Sequence, residues 1–166
     1  MKTGLVIFLI VSTLEYVMAA PPATSVEQLL DQYYVIQKSL ASDSIGGIAA
    51  AATRLAKLSR QSADMEPRAK AVWNALAKAA NKLQTNDLKS ARNGFGELSD
   101  GLIEYLKATG AKRNPPYQFF CSMVKKSWLQ PVKETRNPYY GSSMLTCGEL
   151  IQSEQSVEQP AEHHHH

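Results

Sequence analysis

The stretch NPYYGSSMLTCGEL, residues 137–150, carries one of the chain's two cysteines, Cys147, three positions after Met144. The other cysteine stands in YQFFCSMV, where Cys121 precedes Met123 by two positions. The chemistry these residues offer is that of sulfur. Two thiolates and two thioethers form a soft donor set, which favours Cu(I) over magnesium or calcium, ions that want oxygen. Zinc suits the set less, because its sites draw on thiolate, imidazole and carboxylate and rarely on methionine. If YQFFCSMV is extended, residues two apart share a face, which puts Phe119, Cys121 and Met123 together. Met144 and Cys147 are spaced for one helical turn or a tight loop. Two thiolates on Cu(I) leave one net negative charge, for Lys125, Lys126, Lys133 or Arg136 to offset in part. A plainer alternative uses the same two cysteines. A Cys121–Cys147 disulfide would close a loop of about 27 residues and contribute about 3 kcal/mol by restricting the unfolded chain. The methionines are then ordinary hydrophobic filler. The residues leave both readings open, and the two can be states of one site.

Around this sulfur set the other candidates divide in the same way. Trp128 is either an aromatic cap over Cu(I), held by cation–π attraction, or core. Tyr139 and Tyr140 follow Asn137-Pro138, a turn signal, and are expected to fix the loop against helices. The chain's four histidines are His163, His164, His165 and His166. They form a loose site for Cu(II), Ni(II) or Zn(II), or are the end of a purification tag. With no histidine elsewhere, the commonest general base and any Cys–His pair are missing. GFGELSDG sits in a helical stretch and lacks the strand and lysine of a phosphate loop. Glu97, Asp100 and Glu104 read as a solvated helix face. No catalysis is expected.

The elements that must position the sulfurs are helical. MKTGLVIFLIVSTLEYVMAA has a basic Lys2, an apolar run from Leu5 to Leu14 and small residues at Ala19 and Ala20. That pattern predicts a signal peptide over 1–19, with an uncleaved anchor as the alternative. The mature chain is then exported, to a bacterial periplasm, where an oxidising milieu makes a disulfide the default fate of paired cysteines. A short lead spans 20–24, with Thr24 and Glu27 as a capping box. A helical bundle with its Cys/Met cap fills 25–152, and a disordered tail 153–166. Apolar residues at helical spacing predict helix one over 25–41. They predict a second helix from Ile45 to Ala56, its first turn weakened by Gly46-Gly47, and a third from Ala69 to Leu83 with Asp64 as cap and Pro67 in the first turn. A fourth starts near Asn86 or Asp87 and ends at Gly110. The prediction is a mainly α fold: an up-down-up-down four-helix bundle, Trp73 at its centre, with an irregular, partly extended C-terminal cap. A net charge of +3, dispersed along the helices, gives no nucleic-acid footprint. No later segment is apolar enough to span a bilayer.

At these residues the chain resembles a known family. FFCSM, WLQ and ETRNPYYGSSMLTCGELI are similar to the C-terminal signature of a bacterial periplasmic domain family of unknown function. Its members stand alone or are attached to the adaptor (membrane fusion) subunits of copper and heavy-metal efflux systems. Cys121, Met123, Trp128, Asn137, Pro138, Tyr139, Tyr140, Gly141, Met144, Cys147, Gly148 and Glu149 match its pattern. The likeness extends from about Leu29 to Ile151, specific in the last forty or so residues and weaker in the helices. Phe120 stands where members often have histidine, and Ser122 where they often have proline, so one imidazole donor is lost. The resemblance implies metal handling, with an efflux adaptor or another envelope protein as partner.

Overall fold

The computed structural model describes residues 25–109 and 115–151. The signal and lead segments, Gly110 and the histidine tail lie outside the described residues.

Ser25–Ala41 form α1 because Leu29, Tyr33, Ile36 and Leu40 recur every three or four residues and are all buried. Its neighbour α2, Ile48–Met65, begins after Gly46-Gly47, so Ile45 stands outside the helix expected to contain it. Asp64 lies inside the last turn of α2 and caps nothing. The reason is Pro67, which opens a 3₁₀ turn, Pro67–Ala69, and delays α3 to Lys70–Asn81. The last helix, α4, spans Leu88–Thr109, and Asp87 caps it by accepting the Ser90 N–H at 2.7 Å. Consecutive helices pack together, and α4 also meets α1. Trp73 is buried, but at one end of this packing instead of its centre. Its indole N–H reaches Glu66 Oε2 at 3.2 Å, and Tyr105, 4.4 Å away ring to ring, donates to the same oxygen. A buried indole and phenol need an acceptor, and Glu66 supplies one where α2 gives way to α3.

Three antiparallel strands follow: β1, Tyr117–Cys121; β2, Lys126–Gln130; and β3, Glu149–Ile151, in the order β2-β1-β3. The expected partly extended cap is therefore a small sheet with a long loop, 131–148, between its second and third strands. Because β2 is an edge strand, its outward N–H groups need partners, and α1 supplies one. The Leu129 N–H donates to Tyr33 Oη at 3.0 Å, and the same oxygen lies 2.7 Å from Ser99 Oγ of α4. Rings continue the join. Tyr33 stacks on Phe95 at 4.9 Å, Phe95 meets Tyr139 at 5.9 Å, Tyr139 meets Trp128 at 6.1 Å, and Trp128 stacks on Phe119 at 5.2 Å. Helices and sheet thus share one hydrophobic core.

A second join is ionic. Arg92 of α4 donates to the Pro138 carbonyl at 3.0 Å and the Leu40 carbonyl at 3.2 Å, and pairs with Asp43 at 2.5 Å. Asp43 in turn accepts the Ser142 N–H at 2.8 Å. Gly141, at φ +58°, fits between them because any Cβ would collide with the Asp43 carboxylate and the Arg92 guanidinium. Among the described residues no helix is long and apolar enough to cross a membrane.

Two outcomes follow from these joins. Tyr33→Phe strands a buried hydroxyl and a backbone N–H, so urea unfolding should show a loss of about 1–3 kcal/mol; an unchanged midpoint would show that the hydroxyl joins nothing. Hydrogen bonds from Ser142, and after them Arg92, hold the Asp43 carboxyl down at about 2 from an ordinary 3.8. Its contribution is therefore complete above 3.8 and disappears as the pH falls through 2. Thermal unfolding of the wild type should decline more steeply across that window than that of Asp43→Asn, and parallel curves would remove Asp43 as the acid-sensitive joint.

Candidate metal centre

Cys121 is the last residue of β1, with no exposed surface. Strand alternation puts it on the face of Phe119, and across the pair Phe119 faces Trp128. This face is covered by the 131–148 loop: Thr135 and Gly148 both lie against the Trp128 side of it. Cys147 arrives from the end of that loop, half-buried, one residue before Gly148. The β1–β3 register pairs Phe120 with Glu149, so one further step sets Gly148 opposite Cys121 and Cys147 diagonally beside it. The Cys121 side chain is near enough to bear on that of Cys147, and both are free thiols. Sulfurs 26 positions apart in sequence therefore converge.

The loop reaches this place through amide side chains. Asn137 is completely buried. Its Nδ2 donates to the Cys147 carbonyl at 2.6 Å, its own N–H donates to the Leu145 carbonyl at 2.7 Å, and its Oδ1 accepts the Tyr139 N–H at 2.8 Å. Gln130 does the same for the first half of the loop. Its Oε1 accepts from the Trp128 indole at 3.0 Å and from the Arg136 N–H at 3.2 Å, and its Nε2 donates to the carbonyls of Val132 and Glu134. Gln37 of α1 then fastens the loop by donating to the Arg136 carbonyl at 2.7 Å. Gly148 matters for space: a Cβ there would drive into the Trp128 ring.

Sequence reasoning named the sulfurs and left out most of these positioners. Asn137 stands in the sequence as half of a turn signal and as one residue of the family pattern, and neither says anything of its bond to Cys147. Gln130 and Gln37 carry no local signal at all. Their roles come from long-range burial.

The four expected ligands are not placed alike. Met144 stays with Cys147, since the Cys147 N–H donates to the Met144 carbonyl at 3.1 Å and makes the tight turn that the spacing suggests. Met144 is half-buried. Met123 departs from the expected shared face: Cys121 is buried, whereas Met123 is 61% exposed. Pairing of Cys121 with Lys126 ends the strand, and Lys125, at φ +53°, reverses the chain, so alternation stops before Met123. Trp128 is packed on Phe119 over one face and has Tyr139 at its edge. Of the cations considered for charge balance, Lys126 lays its stem along α4 at Gly96, and Lys133 sits 5.7 Å over the Tyr117 ring. Asp100 and Glu104 line an open groove between α4 and the sheet, with Lys107 beside them.

Desolvation pushes the Cys147 thiol above its ordinary value, and the neighbouring Cys121, charge and hydrogen bond together, pushes the same way, as does Glu149. The metal-free Cys147 is therefore a protonated thiol at neutral pH. Comparisons of the chain with protein-family models, curated proteins and solved structures found no match.

The alkylation rate of Cys147, followed against pH by mass spectrometry, should rise with a midpoint above that of an ordinary cysteine. Cys121→Ala should bring the midpoint down, because it removes a like charge and a hydrogen bond. A midpoint unmoved by that substitution would mean that the two sulfurs do not sense each other.

Proposed function

We propose that the protein binds a soft metal ion, Cu(I), through Cys121 and Cys147, for sequestration or for delivery to an efflux system. The observation that carries this reading is the approach of two free thiols, one from a strand end and one from the loop that the β1–β3 register brings beside it. Met144, one turn from Cys147, is the nearest thioether along the chain to add a third soft donor. Two thiolates hold a monovalent soft ion well, because sulfur donors match its polarizability and such ions accept low coordination numbers. Zinc needs about four donors. Among the described residues no three His, Cys, Asp or Glu side chains group together. Each thiol must give up its proton for the ion to enter, so affinity rises with pH. The buried Cys121 supplies a water-poor wall, and the loop supplies the solvent-facing side.

The proposed setting is the periplasm, reached through the signal segment, with the helices forming an up-down-up-down bundle that supports a non-catalytic binding cap. A pump adaptor or another envelope protein is the proposed recipient. The same approach of the two thiols favours a second reading. In an oxidising compartment the pair closes as a disulfide, and the protein is then a helical interaction domain of the cell envelope.

Titration of the reduced protein with Cu(I) against a chromophoric chelator separates the two. The first reading expects one equivalent bound in competition, loss of that stoichiometric binding in Cys147→Ser, a smaller loss in Met144→Leu, and little displacement by excess Zn(II). No copper uptake by the reduced protein, with a quantitative Cys121–Cys147 bond in material isolated from the periplasm, would establish the second.

A further inference from the structure

We infer that Asn137 is the positioning residue of the thiol pair: its carboxamide sets Cys147 against Cys121. The inference rests on the proposed binding site but concerns the metal-free protein as well. Cys121 needs no special device, since the β1–β2 ladder fixes it. Cys147 lies two residues before β3, Glu149–Ile151, and has no ladder to hold it. Asn137 takes over that work. It bonds the Cys147 carbonyl through Nδ2 and the Leu145 carbonyl through its own N–H, so one residue grips the chain on both sides of Thr146. Its Oδ1 is spent on the Tyr139 N–H and its carbonyl accepts the Gly141 N–H at 3.1 Å. Each polar group of the residue thus has a partner within the loop, and a fully buried amide so engaged has one orientation. Tyr139 carries the hold on to the sheet, donating through its hydroxyl to the Ser127 carbonyl at 2.6 Å. Asn137 therefore fixes Cys147 relative to the strands that carry Cys121.

Chemistry distinguishes this role from general support. Asp at this position keeps the acceptor for the Tyr139 N–H but places an oxygen opposite the Cys147 carbonyl, so it breaks the one bond that addresses the cysteine. Thiol pairing can be read without any metal, by equilibrium with glutathione. In that exchange two protein thiols and one oxidised glutathione give one Cys121–Cys147 disulfide and two reduced glutathiones, so atoms and electrons balance. The equilibrium constant is the effective concentration of one thiol at the other.

The experiment measures that constant, and separately Ag(I) binding, for the wild type, Asn137→Asp, Asn137→Ala and Glu66→Gln. The last loosens the far end of the helices and controls for lost stability. Both Asn137 variants should lower the effective concentration by about tenfold or more, as small misplacements of reacting groups do. They should weaken Ag(I) by about 10–100-fold, the usual cost of losing an outer-shell partner. Glu66→Gln should lower the melting temperature and leave both numbers unchanged. Equal effective concentrations in wild type and Asn137→Asp, measured below both melting temperatures, would overturn the inference. If no variant and no wild-type sample binds Ag(I) while the glutathione constant still falls, the positioning role stands and the metal reading fails. If Asn137→Asp does not fold, Asn137→Ala and Asn137→Ser, which lack the new charge, supply the comparison.

Discussion

The hydroxyl of Tyr33 ties three elements of the molecule together. It is a buried oxygen that touches Ser99 of α4 and the backbone of β2, while its own ring belongs to α1. A three-stranded sheet with strands of five, five and three residues cannot bury enough surface to stand alone. It needs the helices, and its edge N–H groups need acceptors where water is absent. The phenol meets both needs at once, since the ring contributes apolar area and the oxygen completes the strand. The row of rings from Tyr33 to Phe119 then carries the join across β2 to β1.

From this constraint the loop follows. Residues 131–148 are too long to hold their own shape by local turns, and much of their backbone is covered. Each covered carbonyl or N–H needs a partner. Besides bonds within the loop backbone, the partners are side chains: Gln37, Gln130, Asn137, Asp43 and Arg92. An amide has a donor and an acceptor on one rigid plane, so each can serve two strands of chain at fixed spacing. This explains why the polar residues buried here are amides, and why the loop can end at a cysteine held beside another.

How much of this was legible in the sequence depends on how far apart the cooperating residues are. The helices could be read because their apolar periodicity is local. Leu29, Tyr33, Ile36 and Leu40 mark a face without reference to anything else, and the predicted span of α1 agrees with the structure. Boundaries failed where a local signal had two meanings. Gly46-Gly47 fits a weak first turn or a stop before the helix, and Asp64 fits a cap or a last turn. In the cap, the turn signal Asn137-Pro138 and the sulfur spacing were readable. Met123 was misplaced because period-two reasoning assumes that a strand continues, and this one ends at Cys121. The joins through Tyr33, Gln37 and Arg92 were not readable, since each links positions tens of residues apart.

The placement of the sulfurs has a consequence for how a site here would work. A dithiol built wholly on paired strands would be rigid, tight and slow to exchange its cargo. A dithiol built wholly on a loop would pay an ordering cost at each binding event. This protein mixes the two. Cys121 is fixed by a ladder and closed to water, whereas Cys147 is half-exposed and tethered through the hydrogen bonds of its loop. An ion held between these two thiols would therefore be released from the loop side, through the half-buried sulfur next to Met144, while the buried one kept its grip. Such an asymmetric pair suits passing an ion to a partner better than storing it permanently, and the asymmetry follows directly from placing one cysteine at a strand end and the other on a tethered loop.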